Sequence, residues 1–180
     1  MIMLVEDFTF EVLNENHNFL EFDCNEPEIN DFLHNDALNF QKEQFAITYV
    51  FTKDNQVAAF FSLLNDSLHD KGYENTVWNR FHRHNKIPNE KRMRQYPAIK
   101  IGRLGITKNY QGTGLAYSMM DFIKGFTRLN QKSASRILLI DAYNKTKQLN
   151  FYERNDFVLL NVLQSNTETV AMYFDLKLLG

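Results

Sequence analysis

Residues 97–129, PAIKIGRLGITKNYQGTGLAYSMMDFIKGFTRL, constrain what this chain can fold into more than any other stretch. Ile99, Ile101, Leu104 and Ile106 form a strand-like apolar run. Residues 108–114 carry turn chemistry in Asn109, Gly112 and Gly114. From Leu115 the apolar spacing turns helical, with Leu115, Met119, Phe122, Ile123, Phe126 and Leu129 on one face. A strand that feeds a glycine turn into a helix start makes an anion site. The first backbone N–H groups of a helix lack internal acceptors, and the helix dipole adds partial positive charge there. Gly112 and Gly114 would let that backbone approach a phosphate, and Ala116 is nearly as small. An ordinary strand–turn–helix joint carries the same G-x-G, so the turn alone leaves both readings open.

The remaining composition narrows the field. A chain of 180 residues predicts one domain, 1–180. A formal net charge of −2 gives the whole molecule no strong field toward nucleic acid or membrane. The lone Cys24 excludes an internal disulfide and suits a cytoplasmic location. The apolar start, residues 1–5, is too short for a signal core and runs into Glu6 and Asp7. No run reaches the length of a membrane span.

In chain order, residues 8–13 alternate Phe8, Phe10 and Val12 against Thr9, Glu11 and Leu13, predicting a first strand. Asn25-Glu26-Pro27 is a helix-start signal, with Asn25 as the capping side chain. Ile29, Phe32, Leu33, Ala37 and Phe40 then share a face, and the helix is expected to run to about Gln44. Residues 46–52 and 57–64 read as a hairpin around Lys53-Asp54-Asn55-Gln56. Residues 65–96 are the least readable part, with a short helix around Val77, Trp78 and Phe81. Residues 136–143 form a nearly continuous apolar strand and 144–154 a short helix. Two further strands, 157–164 and 169–176, flank the polar turn Ser165-Asn166-Thr167.

A local charge imbalance lies inside the near-neutral whole. From Arg80 to Arg103 there are eight Lys/Arg against one acidic residue, Glu90. The stretch is either a solvated surface whose charges are offset elsewhere, or a face for a polyanion or a nucleotide phosphate. His82 and His84 have no third partner at metal-ligand spacing, so no metal is expected.

Gln111-Gly112-Thr113-Gly114-Leu115-Ala116 fits the pattern Q/R-x-x-G-x-G/A and resembles the acetyl-CoA pyrophosphate loop of the GCN5-related N-acetyltransferases (GNAT family). The preceding IGRLGIT is similar to that family's pantetheine-binding strand, which implies close approach along Leu104, Gly105 and Ile106. The element order β-α-β-β-(α)-β-α-β-α-β-β resembles the family fold over nearly the whole chain. That fold is an α/β mixed sheet of about six to seven strands flanked by about four helices. A second resemblance, LLIDAYNKTKQLNFYERNDF (138–157), is to the family's downstream N…FYe.xGF motif. It implies that Tyr152 reaches the acetyl-CoA sulfur as the catalytic acid, and that Asn144 belongs to the cofactor site. Asn144 sits eight residues before Tyr152 where the family spacing is usually seven, and Lys147 replaces a small residue. The family's glycine before the last Phe is Asp156, at a position that needs a left-handed backbone.

The first helix, FDCNEPEINDFLHNDALNFQKE, and Arg103, within a GRL, resemble the branch that includes acetylating toxins of toxin–antitoxin modules, which makes Arg103 a substrate-site candidate. The sequence names no general base: Glu43, Asp66 and Asp141 are available carboxylates to which it gives no position, and Asp141 is equally suited to cap a helix. The resemblance implies an acetyl-CoA-dependent N-acetyltransferase with an unspecified primary-amine acceptor. A narrower alternative is a toxin-like acetylation of aminoacyl-tRNA with a small antitoxin partner. A third is a non-catalytic acyl-CoA-binding module. Homodimers are common in the family.

Overall fold

The computed structural model describes residues 2–130, 133–160 and 167–180. Among them lie seven strands in one sheet, ordered β1-β2-β3-β4-β5-β7-β6. The chain divides into two compact units, one of residues 1–65 and 101–123, the other of residues 66–100 and 124–180.

The first unit begins with β1 (Thr9–Val12) and a helix in three parts: α1 (Pro27–Asp31), a π-helical turn (Phe32–Asp36) and α2 (Ala37–Lys42). The antiparallel strands β2 (Ile47–Lys53) and β3 (Gln56–His69) follow, β3 continuing into the second unit. β1 pairs antiparallel with β2, placing Phe10 opposite Phe51. Asp54 (φ 50) and Asn55 (φ 62) close the hairpin in the left-handed region, as short Asx side chains tolerate. Leu13, Phe22, Leu33, Ala37, Val50 and Phe60 form the core beneath α1 and α2.

Two expectations change here. Asn25 does not cap the helix: it takes φ 65 and donates its N–H to Asp23 Oδ1 (2.9 Å), while Glu26 is the N-cap and Pro27 opens the helix. Phe40 is exposed, not core. The wide π turn advances the register, so that Gln41 takes the inward position. Its Nε2 donates to Leu13 O (2.9 Å) and its Oε1 accepts from Thr48 N–H (3.1 Å).

β4 (Gln95–Ile106) and α4 (Leu115–Leu129) each contribute to both units. Leu115, Met119 and Ile123 of the expected helix face are fully buried, joined by Met120, whereas Leu129 at the fraying end is 83% exposed.

The second unit holds α3 (Asn75–His84), β5 (Ile137–Tyr143), α5 (Thr146–Arg154), β6 (Val158–Leu159) and β7 (Thr169–Asp175). β7 pairs antiparallel with both β5 and β6. Val77, Trp78, Phe81, Tyr96, Ile137 and Tyr173 anchor its core. Arg136 clamps the chain ends of β5 and β7 through two bonds to the buried Asp175 carboxylate (2.8 and 2.5 Å). The strand expected over 157–164 is seen as β6; residues 161–164 and most of the following turn lie outside the described residues.

Candidate active site

In the first unit, β4 delivers the chain into a 3-10 turn (Lys108–Tyr110) and then α4. Asp23 anchors this joint. Its carbonyl accepts Lys108 N–H (2.8 Å) and Thr107 Oγ1–H (3.2 Å), and its carboxylate pairs with Lys108 Nζ (3.1 Å). Hydrogen bonds from Asn25 N–H and the Asn30 amide, then Lys108, lower the Asp23 carboxyl to about 2.

The side chains of the turn are turned inward. Gln111 Nε2 donates to Cys24 O and Ile106 O (2.9 Å each), and Thr113 Oγ1 donates to Tyr110 O (2.7 Å). Gly112 (φ 75) and Gly114 (φ 89) sit in the left-handed region. Gly114 O caps the helix by accepting Tyr117 N–H (3.0 Å). Among the described residues, the N–H groups of Gly112, Thr113, Gly114, Leu115 and Ala116 have no acceptor. Five consecutive open donors at a helix N-terminus form an anion cradle. A Cβ at Gly112 would meet nothing within 4 Å, and one at Gly114 only Ile2 Cγ2 at 3.6 Å. The helix mouth is therefore open on this side. The N-terminal segment flanks it, Met3 N–H donating to Thr113 O (3.0 Å) and Val5 N–H to Ser118 Oγ (3.0 Å).

Gly105 has a packing reason of its own. A Cβ there would stand 2.8 Å from Phe60, 2.9 Å from Ile29 and 3.1 Å from Phe22. Leu104, on the opposite face of β4, is half-buried, and Ile106 is buried. Arg103 braces α1: Nη2 binds Glu28 Oε1 (2.8 Å), the guanidinium lies over the Phe32 ring (5.6 Å), and Nη1 donates to Gly102 O. Glu43 is the exposed C-cap of α2.

In the second unit, α5 carries Tyr152. Its ring packs edge-on to Phe151 and Phe157 (centroids 5.2 and 5.7 Å). Its carbonyl accepts N–H from Asn155 and Phe157 (3.0 Å each), closing the helix end, and Asp156 takes φ 62 as the motif required. Among the described residues the Tyr152 hydroxyl makes no hydrogen bond. Burial, then the nearby Tyr143, pushes its phenol well above the usual tyrosine value. Asn144 ties the strand end to residues before β7, its Nδ2 donating to Thr167 O (3.0 Å) and its N–H to Glu168 O (2.8 Å).

Asp66 and Asp141 come together in this unit, on either side of Lys100. Asp141 lies within β5 and caps no helix. Of the eight Lys/Arg in the basic stretch, Arg80 donates Nη2–H to Leu160 O (2.9 Å), and the other seven fall into two groups. Arg94, Lys100 and Arg103 are ion-paired, to Asp70, Asp141 with Asp66, and Glu28. Arg83, Lys86, Lys91 and Arg92 are exposed, with no ion pair among the described residues. His82 is a core histidine, hydrogen-bonded to Tyr96 Oη (3.1 Å), its pKa lowered by burial and then by Arg92. Among the described residues no group of three or more His, Cys, Asp or Glu could hold a metal ion, and no helix is long and apolar enough to cross a membrane.

No family model matches the sequence. Solved structures do. AtaT complexed with acetyl-methionyl-tRNAfMet is 22% identical, with 96% of this chain and 97% of that one covered at a TM-score of 0.69. A tyrosine-to-phenylalanine variant of KacT is 20% identical, with 95% and 96% covered at 0.67. AtaTR bound with acetyl-CoA is 21% identical, with 97% and 98% covered at 0.66. The chain therefore has the GNAT-like acyltransferase fold, in the form taken by AtaT and KacT.

Proposed function

We propose that the chain, as one domain over residues 1–180, is an acetyl-CoA-dependent N-acetyltransferase that passes an acetyl group directly to a primary amine. The observation that carries this reading is the row of five open N–H groups from Gly112 to Ala116, with side chains turned away from them. The CoA pyrophosphate would rest on those amides, Gln111 would shape the turn from behind, and pantetheine would run along Leu104, Gly105 and Ile106. The acetyl-CoA complex of AtaTR, a chain of the same fold, supports it.

In the reaction a neutral amine attacks the thioester carbonyl, and a strand N–H holds the charge that builds on oxygen. Collapse of the intermediate expels a thiolate. The raised phenol of Tyr152 is fully protonated at neutral pH, so a donor is present when the sulfur leaves. A thiol has a pKa of about 8.5, below that of the phenol, so complete transfer from Tyr152 is uphill. Its contribution is a hydrogen bond to the departing sulfur, which takes up the proton that the attacking nitrogen loses as the intermediate collapses to amide and thiol. Tyrosine-to-phenylalanine variants have been solved for AtaT and KacT, chains of the same fold.

A narrower second reading is acetylation of aminoacyl-tRNA. The exposed Arg83, Lys86, Lys91 and Arg92 supply phosphate-binding charge, and AtaT was solved with acetyl-methionyl-tRNAfMet. On this reading the chain acts in the cytoplasm, as a homodimer, and pairs with a small antitoxin, as AtaT does with AtaR. The test is transfer from labelled acetyl-CoA to a panel of polyamines, amino acids, peptides and charged tRNA. Acetylation of at least one amine, lost in Tyr152→Phe, is expected. Acetyl-CoA binding without transfer to any acceptor would leave an acyl-CoA-binding module. Salt-insensitive or absent tRNA binding would discard the tRNA reading.

A further inference from the structure

Asp23 and Cys24 lie between α1 and the turn that opens α4, all within the first unit. Toward the turn the pair supplies acceptors. Asp23 O takes Lys108 N–H (2.8 Å) and Thr107 Oγ1–H (3.2 Å), and Asp23 Oδ2 pairs with Lys108 Nζ (3.1 Å). Cys24 O takes an N–H of the Gln111 amide (2.9 Å). These bonds place residues 107–111, and the open amides begin at the next residue, Gly112.

Toward α1, one side chain holds both members of the pair. Asn30 Oδ1 accepts Cys24 N–H (2.9 Å) and Cys24 Sγ–H (3.1 Å), and Asn30 Nδ2 donates to Asp23 Oδ1 (2.9 Å). A carboxamide offers acceptor and donor side by side, so a single residue can make all three bonds. Cys24 is buried and Asn30 half-buried, so water competes weakly for them. Asn25, at φ 65, reverses the chain directly after the pair, and Pro27 then opens α1. Asn30 also sits between two residues that meet the substrate-site candidate Arg103: Glu28 binds its Nη2 (2.8 Å), and the Phe32 ring lies 5.6 Å from its guanidinium.

We propose that Asn30 is the positioning residue of the cofactor loop. By clamping Asp23 and Cys24 to α1 it sets Lys108 and Gln111, and through them the five amides from Gly112 to Ala116. This rests on reading those amides as the acetyl-CoA pyrophosphate site and deepens that reading. Asn30 touches no ligand itself. A row of amides grips a diphosphate only while its donors converge, and the glycines that open the row also leave its backbone free to move. The clamp brings from α1 the rigidity that Gly112 and Gly114 forgo.

The test compares Asn30→Ala, Asn30→Asp and Asn35→Ala by amide NMR without ligand and by acetyl-CoA calorimetry. Asn35→Ala is the control, because it breaks a bond of the same kind, to Asp31 Oδ1 (2.7 Å), that involves neither Asp23 nor Cys24. Asn30→Ala should move the five amide signals in the ligand-free protein and raise the acetyl-CoA Kd about tenfold. Asn30→Asp keeps the size of the side chain and the acceptor for Cys24 and loses the donor to Asp23. It decides the matter should Asn30→Ala fail to fold, with the same five signals displaced and the Kd raised about threefold. Asn35→Ala should leave both readouts as in the native chain. The proposal is overturned if the five signals stay in place in the folded Asn30 variants, or if Asn35→Ala moves them as far. Failure of the native chain to bind acetyl-CoA would remove the acetyltransferase reading alone, since the ligand-free spectra still decide the role of Asn30.

Discussion

The turn at Gly112–Gly114 and the helix end at Tyr152 solve opposite problems. In the turn, the side chains of Gln111 and Thr113 are tied into the protein and the backbone donors are left open. At the end of α5 the backbone is closed on Tyr152 O, Asn155 ties back through its Nδ2 to Phe151 O (2.7 Å), and the phenol hydroxyl has no hydrogen bond among the described residues. A diphosphate is bulky and doubly charged, and several fixed amides suit it; a leaving sulfur needs one donor, and a side chain suffices. Substitutions at the two places should therefore separate binding from chemistry.

The largest effect is expected from Tyr152→Phe. Loss of the hydrogen-bond donor to the departing sulfur should lower kcat by about 10²–10³ while the acetyl-CoA Kd barely moves. Because the hydroxyl has no hydrogen bond to lose among the described residues, the melting temperature should stay within about 2 °C, which calorimetry would check. An unchanged kcat would remove Tyr152 from the mechanism. Gly114→Val should do the reverse. A β-branched residue at φ 89 is strained by about 1–3 kcal/mol, and its side chain would crowd the open amides. The acetyl-CoA Kd should rise at least about tenfold, and the ligand's stabilisation against heat should vanish.

Gln111→Ala should be milder. It leaves the Cys24 and Ile106 carbonyls without their shared donor, costing about 1–3 kcal/mol of stability. The amides keep their positions less well, so acetyl-CoA binding should weaken only several-fold. The smallest effect concerns pH. Asp23 has a folded pKa of about 2 against an ordinary 3.8, so its stabilisation of the joint is fully present above 3.8 and lost as pH falls toward 2. A carboxyl NMR titration should show that midpoint, and Asp23→Asn should flatten the acid dependence over this window.

The same contrast explains what the sequence could reveal. Features encoded in the backbone of one short segment were legible. Gly112 and Gly114 take positive φ where the turn demanded it, Asp54-Asn55 closes its hairpin, and Asp156 adopts the left-handed backbone its motif position implied. Features that depend on distant partners were not. Nothing near Gln111 announces that its amide binds Cys24 O, 87 residues away. Gly105 reads equally well as a ligand-facing glycine until Phe22, Ile29 and Phe60 are seen around it. Asp66 and Asp141 were two unplaced carboxylates until strand order set them beside Lys100. Periodicity failed at Phe40, which lies beyond a π turn, and β3 outran its apolar run by extending through residues 65–69, polar but for the buried Leu68.

The most direct measurement is an amide NMR titration with CoA, following Gly112, Thr113, Gly114, Leu115 and Ala116. These five N–H signals should move downfield together and saturate with one affinity, ahead of every other residue in the chain. CoA that fails to bind, or that binds while these five stay still, would contradict the account.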